Sequence, residues 1–294
     1  PAFNAANDWI AERNLDVQWA HAIAPQAKII LVTSKTNSAS DMQLAVQTAS
    51  LQPGVTAISL SYGAYEFTAE TGAAYDGVLK TIQAKGIAVF VASGDSGNVG
   101  KFSEWPSTSP YVTSVGGTVI NTTAALAPTL NTEVVWKYGG GGTSLYELLP
   151  AYQTASIIGA TDMALNTGKK RLVPDVSYNA DVVSSPVALV INGLWYVGGG
   201  TSAGAPQWAA ITALLAQNRV NLKKTSMQTL LASTSGGLNG ILYQAKLDAA
   251  AMFDVRVGNN NGTTAACAIC NAGVGYDAAT GLGVPNVTSL VAFF

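Results

Sequence analysis

Four residues stand out by type and spacing as able to do chemistry. Glu12 and Asp16 lie four residues apart in a segment where Trp9, Ile10, Leu15 and Trp19 recur at helical spacing, so both carboxylates project from one helix face. An isolated acidic pair at this spacing usually just sits in water. Here each carboxylate is flanked by large apolar residues in a chain that uses few charges. Asp95 sits in Ser93-Gly94-Asp95-Ser96-Gly97, which reads equally as a plain Asx turn. Ser202 sits in Gly199-Gly200-Thr201-Ser202-Ala203-Gly204-Ala205-Pro206, ahead of a helix expected over residues 207–217. A glycine-rich turn that delivers a serine to the positive end of a helix is how a nucleophile is held exposed beside backbone donors, although an N-cap serine has the same pattern. The chain has one histidine, His21. A zinc site of several histidines is therefore excluded, and a Ser-His-Asp triad could use no other imidazole. Hydrolytic chemistry in this chain runs on carboxylates.

The elements that must position these groups are legible in outline. Segments rich in β-branched residues at 28–33, 55–61, 87–92 and 111–115 alternate with helical spacing at 41–51 and 70–84. That alternation implies an α/β fold with a mostly parallel sheet and helices on both faces. In such sheets, site loops lie beyond the carboxyl ends of the strands, which is where residues 93–97 fall after the apolar run at 87–92. No linker and no internal repeat divides the chain, so residues 1–294 are read as a single domain.

Composition narrows the function classes. Of 294 residues, 48% are hydrophobic and 11% charged, a balance that gives a large core and argues against disorder. Fifteen Lys and Arg against 17 Asp and Glu leave a net charge of −2, with no basic field for a polyanion and no charge run for a membrane surface. Neither nucleic acid nor a membrane is an expected partner. The uncharged stretch 182–218 is broken by Pro186, Gly193, the glycines at 198–200 and Pro206, and so reads as core, not as a span.

Taken together and in order, Glu12-Arg13-Asn14-Leu15-Asp16, Ser93-Gly94-Asp95, Val115-Gly116-Gly117-Thr118, the glycine run before Ser144, Leu172-Val173-Pro174-Asp175, Gly200-Thr201-Ser202 and the 254–277 loop resemble the sedolisin, or serine-carboxyl peptidase, family. The resemblance covers almost the whole chain and implies a subtilisin-like fold. It implies Ser202 as nucleophile, Glu12 as its general base, Asp16 as the group that hydrogen-bonds and orients Glu12, and Asp95 as a donor completing the oxyanion hole. A glutamate near its ordinary pKa of about 4.3 accepts a proton effectively only in acid, and a protonated aspartic acid can donate to an oxyanion, so an acidic optimum is expected. His21 lacks the glycine that follows the subtilisin base and reads as a partly buried or capping residue.

The resemblance also implies one structural calcium ion, held by Asp254 and Asp277 with the carbonyls of Val255, Gly273 and Gly275; all five offer the hard oxygens that calcium selects. It implies an acid-acting endopeptidase that cleaves protein or peptide substrates through an acyl-enzyme on Ser202. The alternatives are an exopeptidase of the tripeptidyl-peptidase type or an inactive calcium-stabilised binding module. Secretion, or another acidic compartment, is the expected location, with Cys267 and Cys270 as a small disulfide. Two departures stand beside these expectations. Tyr62 occupies a position where some relatives have tryptophan. The chain also reaches Glu12 almost at once, so an N-terminal strand and a propeptide are expected to be missing from it, with a companion N-terminal fragment or propeptide as a partner and a gap or open edge beside the first strands.

Overall fold

A computed structural model describes residues 8–98, 103–120, 133–244, 251–262 and 268–294. Its centre is a sheet in which β1 (Ala57–Leu60), β3 (Ala88–Ala92), β5 (Thr113–Ile120) and β9 (Val176–Asn179) run parallel in that order, with the antiparallel β6 (Glu133–Val135) beside the far half of β5. The register pairs Ile58 with Val89, Val91 with Ser114 and Val115 with Val176. The outer pieces are short antiparallel pairs: β2 (Ala64–Tyr65) with β4 (Glu104–Trp105), β7 (Gly142–Leu148) with β8 (Lys170–Val173), and β10 (Val187–Ile191) with β11 (Leu194–Gly198).

Every residue of β3 is buried, as expected of a strand covered on both faces. Alternation along it sends Ala88 and Phe90 to one core and Val89 and Val91 to the other. On the first face lies the long helix α6 (Thr201–Asn221), whose Trp208 stacks on Phe90 at 6.1 Å. On the second lie α2 (Ala39–Ser50) and α3 (Asp76–Ala84), which bring Val46, Leu79 and Ile82 against the sheet. Ser38 starts α2 by accepting a bond from the Asp41 N–H. The helix expected from residue 70 starts only at Asp76; ahead of it the Glu70 carboxylate accepts the Phe67 N–H at 2.8 Å.

Helix α1 (Asp8–Ile23), which carries Glu12 and Asp16, packs on α6 and is wedged against the β10–β11 hairpin. Leu15 joins Val187, Leu189, Ile191 and Ala203 in a small core. The Gln18 amide locks the angle: Nε2 donates to the Val190 carbonyl at 2.7 Å while Oε1 accepts the Val190 N–H at 2.8 Å. Among the described residues, no helix is long and apolar enough to cross a membrane.

One expected strand does not form. Residues 28–33 form no regular element and pair with no strand among the described residues, and Ile29, Ile30 and Leu31 are exposed. A β-branched run becomes a ladder only beside a partner with free backbone groups, and among the described residues none is paired with it.

Candidate active site

The site forms where the carboxyl ends of β1 and β3 meet the N-terminus of α6 and the outer face of α1. Gly200 precedes α6 with φ of +81°, and a side chain built there would lie 2.3 Å from Asp95 Oδ2, so only glycine fits. The following Thr201 ties α6 to the loop after β3. Its N–H and its hydroxyl each donate to Asp95 Oδ1 at 2.8 Å. Asp95 Oδ1 is thus committed to the helix start, while Oδ2 remains for another partner. Ser202 is half-buried as the second residue of α6, inside the helix instead of just ahead of it as residues 207–217 suggested.

Pro206 in the second turn of α6 has no N–H to offer the Ser202 carbonyl four residues back. That carbonyl instead lies 3.3 Å from the Ser61 hydroxyl, which donates more closely to Asp16 Oδ1 at 2.6 Å. Ser61, the first residue after β1, therefore bridges the acidic helix to the backbone of Ser202. Glu12 Oε1 is buried without a hydrogen-bond partner.

Electrostatics departs from the sequence expectation. Burial first, then the neighbouring Asp16 charge, raises Glu12 to about 8, against the opposing pull of the Ser202 and Ser61 hydroxyls; Asp95 adds a smaller upward push. Burial raises Asp16 to about 7, with the Ser61 hydroxyl opposing it. Burial also raises Asp95 despite its bonds to Thr201. The expectation that Glu12 titrates near 4.3 is corrected: three carboxyls sharing one poorly solvated volume cannot all ionise in acid. Glu104, on β4, is a fourth acid beside them, raised by burial and by Asp95, with its side chain against Gly63 and Gly94.

The structure thus brings Glu12, Asp16, Asp95 and Ser202 together. His21 is exposed in the last turn of α1, five residues past Asp16. Sequence reasoning missed Ser61, Thr201 and Glu104. Thr201 was legible as the residue before Ser202; nothing in the sequence marks Glu104. The glycine run at 139–142 lies beneath the site loop, with Gly140 donating its N–H to the Gly94 carbonyl at 2.7 Å and accepting the Ser93 hydroxyl at 2.7 Å. Asp175 of the Leu172-Val173-Pro174-Asp175 motif is structural: fully buried, it takes both Arg171 nitrogens at 2.9 and 2.6 Å and the Tyr243 hydroxyl at 2.9 Å.

The expected cation ligands converge on one turn. Gly273 N–H donates to Asp277 Oδ2 at 2.9 Å and Gly275 N–H to Asp254 Oδ2 at 3.0 Å. Asp254 is also paired with the exposed Arg256, whereas buried Asp277 belongs to neither ion pair found among the described residues. Nothing lies within 4 Å of a side chain built at Gly273 or Gly275, so the turn has open space; Asp277 also accepts from the N–H groups of Ala279 and Thr280 and from the Thr280 hydroxyl. This oxygen-rich donor set fits a hard cation. No group of three or more His, Cys, Asp or Glu is placed to hold a metal ion among the described residues, so the remaining ligands would be backbone carbonyls. Cys267 lies outside the described residues; Cys270 is buried.

Comparison with known proteins decides the family. The model of the subtilase family matches residues 5–265. Kumamolisin of Bacillus sp. (strain MN-32) is 34% identical over 291 residues, covering 93% of this chain and 49% of kumamolisin. The chain belongs to the sedolisin family of subtilisin-like serine peptidases. Within that family, sedolisin of Pseudomonas sp. (strain 101) is 31% identical over 245 residues, 75% of this chain and 37% of the relative. Human tripeptidyl-peptidase 1 is 31% identical over 231 residues, 71% and 37% respectively. The solved structure of Pseudomonas sedolisin, a serine-carboxyl proteinase complexed with two molecules of pseudo-iodotyrostatin, superposes with a TM-score of 0.76 at 26% identity, covering 96% of this chain and 78% of that one. The chain spans about half the length of kumamolisin and less of the other two relatives.

Proposed function

We propose that this chain carries the catalytic centre of an acid-acting serine-carboxyl endopeptidase. The observation that carries the reading is a half-buried Ser202 at the start of α6, ringed by three carboxyls raised above their ordinary values. Ser202 Oγ attacks the scissile carbonyl carbon and its proton passes to Glu12, whose Oε1 has no other partner. Asp16, held by Ser61, orients Glu12. Asp95, protonated, donates from Oδ2 to the oxyanion while Oδ1 stays on Thr201. Glu12 then returns the proton to the leaving amine, and water attacks the acyl-enzyme by the same route. The productive state has Glu12 ionised and Asp95 neutral, which confines turnover to the acid side of the range in which the cluster loses its protons.

Asp254 and Asp277, with the carbonyls of Val255, Gly273 and Gly275, would hold one calcium ion that braces the turn and takes no part in these steps. An acidic compartment or secretion suits this chemistry, as does a propeptide that blocks the site until acidification. Exopeptidase action is the second reading, favoured by the similarity to tripeptidyl-peptidase 1. The test is a pH series of peptide hydrolysis with product mapping, on the parent and on Ser202→Ala. The expected outcome is internal cleavage, greatest in acid and abolished in the variant. Release of tripeptides alone would favour the exopeptidase, and a maximum on the alkaline side or an active Ser202→Ala would overturn the carboxylate mechanism.

A further inference from the structure

Residues 144–147 of β7 stand opposite Arg171 alone on β8, a bulge between the pairing of Thr143 with Leu172 and that of Leu148 with Lys170. Ser144 sets its shape. The Ser144 hydroxyl accepts the N–H groups of Tyr146 at 3.2 Å and Glu147 at 2.8 Å, and donates to Glu66 Oε1. Glu66 Oε2 accepts the Leu145 N–H at 2.9 Å. Glu66 follows β2, so one carboxylate ties the bulge to the segment that leads into α3.

The bulge turns Glu147 inward, where its carboxyl meets that of Asp76 at the start of α3. The carboxyls of Glu66 and Glu70 meet in the same way, and the Asp76 N–H donates to the Glu70 carbonyl at 3.0 Å, which joins the two pairs. Glu70, Asp76 and Glu147 are 0%, 3% and 6% exposed, and Glu70 Oε1, Asp76 Oδ1 and Glu147 Oε1 find no N–H or hydroxyl donor. Two carboxylates repel, whereas an acid and a carboxylate bond strongly, so each pair needs one proton. That proton belongs on Glu147, raised by burial and then by Asp76, and on Glu70, raised by burial and also by Glu66. The cations facing the cluster do not replace it. Arg171 lowers Asp76 and Glu147 but has Nη1 and Nη2 on Asp175, Lys170 gives its Nζ to the Tyr146 carbonyl, and Lys80 lies over the Tyr111 ring. Tyr111 and Tyr152, which also face Asp76, are raised by burial and stay neutral.

We propose that this cluster is a proton-operated latch: one proton in each carboxyl pair holds the β7 bulge against α3, and loss of those protons releases the bulge and, through it, the glycine run beneath the Asp95 loop. The path between them is short. β7 begins at Gly142, two residues after Gly140, which bonds to Ser93 and Gly94. Those two residues lead directly into Asp95. Acid closes the latch and steadies the oxyanion acid; a rise in pH opens it while the central sheet stays folded. The latch rests on the cluster alone, and only its consequence for hydrolysis rests on the peptidase reading above.

The test uses the double variant Glu70→Gln with Glu147→Gln, and separately Asp76→Asn. Each places an amide N–H where a pair shared its proton, so the contact no longer depends on pH. Amide exchange, corrected for its intrinsic pH dependence, is followed from about pH 4 to about pH 10 at Leu145, Glu147 and Gly140, with Val89 and Val91 of β3 as reference. In the parent, protection at the first three is expected to fall by at least about tenfold while β3 keeps its own. The double variant is expected to keep its protection throughout, and Asp76→Asn, which relieves one pair from the opposite side, to lose it at higher pH than the parent. If the double variant lacks β3 protection even in acid, it has not folded and Asp76→Asn carries the test. Loss at the same pH in the parent and in the folded variants, no loss in the parent, or loss in step with β3 would overturn the latch. Gly140 that stays protected after Leu145 has opened would overturn its coupling to the site. Peptide hydrolysis, measured in parallel, is expected to persist to higher pH in the double variant; the expected exchange with no hydrolysis in any form leaves the latch standing and counts against the peptidase reading.

Discussion

Glu12 and Asp16 share a pool of protons as well as a helix face. Asp16 is the second largest cause of the raised Glu12 value, after burial, so removing its charge should make Glu12 easier to ionise. Asp16→Asn is expected to move the rising acid limb of the kcat/KM profile to lower pH by about one unit, while losing rate because Ser61 no longer holds a carboxylate. A pH–rate profile on a short peptide checks both effects. An acid limb that stays in place would show that Asp16 and Glu12 do not titrate together. The spacing of the pair was legible in the sequence, because a four-residue interval on a helix is a local property. The direction of their pKa values was not, because the burial that raises them comes from β1 and α6, far along the chain.

At the scale of elements, the site is a junction between the start of α6 and the ends of two strands, and Gly200 is its tightest point. Gly200→Ala combines a backbone of φ +81° that a side chain resists with a methyl 2.3 Å from Asp95 Oδ2. The expected outcome is a loss of kcat/KM of about 10² or more, from displacement of the oxyanion acid, with only a small fall in melting temperature because the core beneath α6 is untouched. Steady-state kinetics beside a thermal melt separates the two effects; unchanged kinetics would detach Asp95 from the oxyanion role. The sequence announced this junction through Gly200-Thr201-Ser202. It could not announce Ser61, whose role depends on the carbonyl that Pro206 leaves without its helical partner, on a chain neighbour 141 residues away.

At the scale of the molecule, buried acids extend well beyond the site. Asp76, Glu70 and Glu147 are buried, each with a carboxyl oxygen that meets no ordinary donor. Burial raises Glu70 to about 9 and Glu147 to about 8, and raises Asp76 as well. The groups facing them are Glu66, which adds to the rise, Ser109 and Trp105, whose polar side chains lower Asp76, and Arg171, which lowers Asp76 and Glu147. The carboxyls of Asp76 and Glu147 interact, and such a contact is favourable only if one of them keeps its proton. The sign follows directly. The folded chain binds more protons than the unfolded one between the unfolded carboxyl range near 4 and the folded values near 8 to 9, so stability falls as pH rises across that window. Urea unfolding midpoints are expected to decline from about pH 4 to pH 8; a rise over that interval would contradict protonated carboxyls in the core. Calcium held at the proposed turn would act on the folded state independently. Chelation is expected to lower the melting temperature, and Asp277→Ala to reproduce the chelated state, as read by thermal unfolding with and without added calcium.

What the sequence determined by itself was local and periodic: β-branched runs at 55–61 and 87–92, a helix bearing Glu12 and Asp16, a glycine turn before Ser202, and one histidine that left carboxylates to carry any hydrolysis. These follow from spacing and residue type, which tertiary contacts did not overturn. The run at 28–33 shows the limit of that reading, because its residues have strand character while a ladder needs a neighbouring backbone that residue type cannot supply. Tertiary structure alone decided that Asp95 spends one oxygen on Thr201 and keeps the other, and that Ser61 joins the acidic helix to the start of α6. Each depends on desolvation and hydrogen bonding between residues distant in sequence, and those energies exist only once the chain has folded.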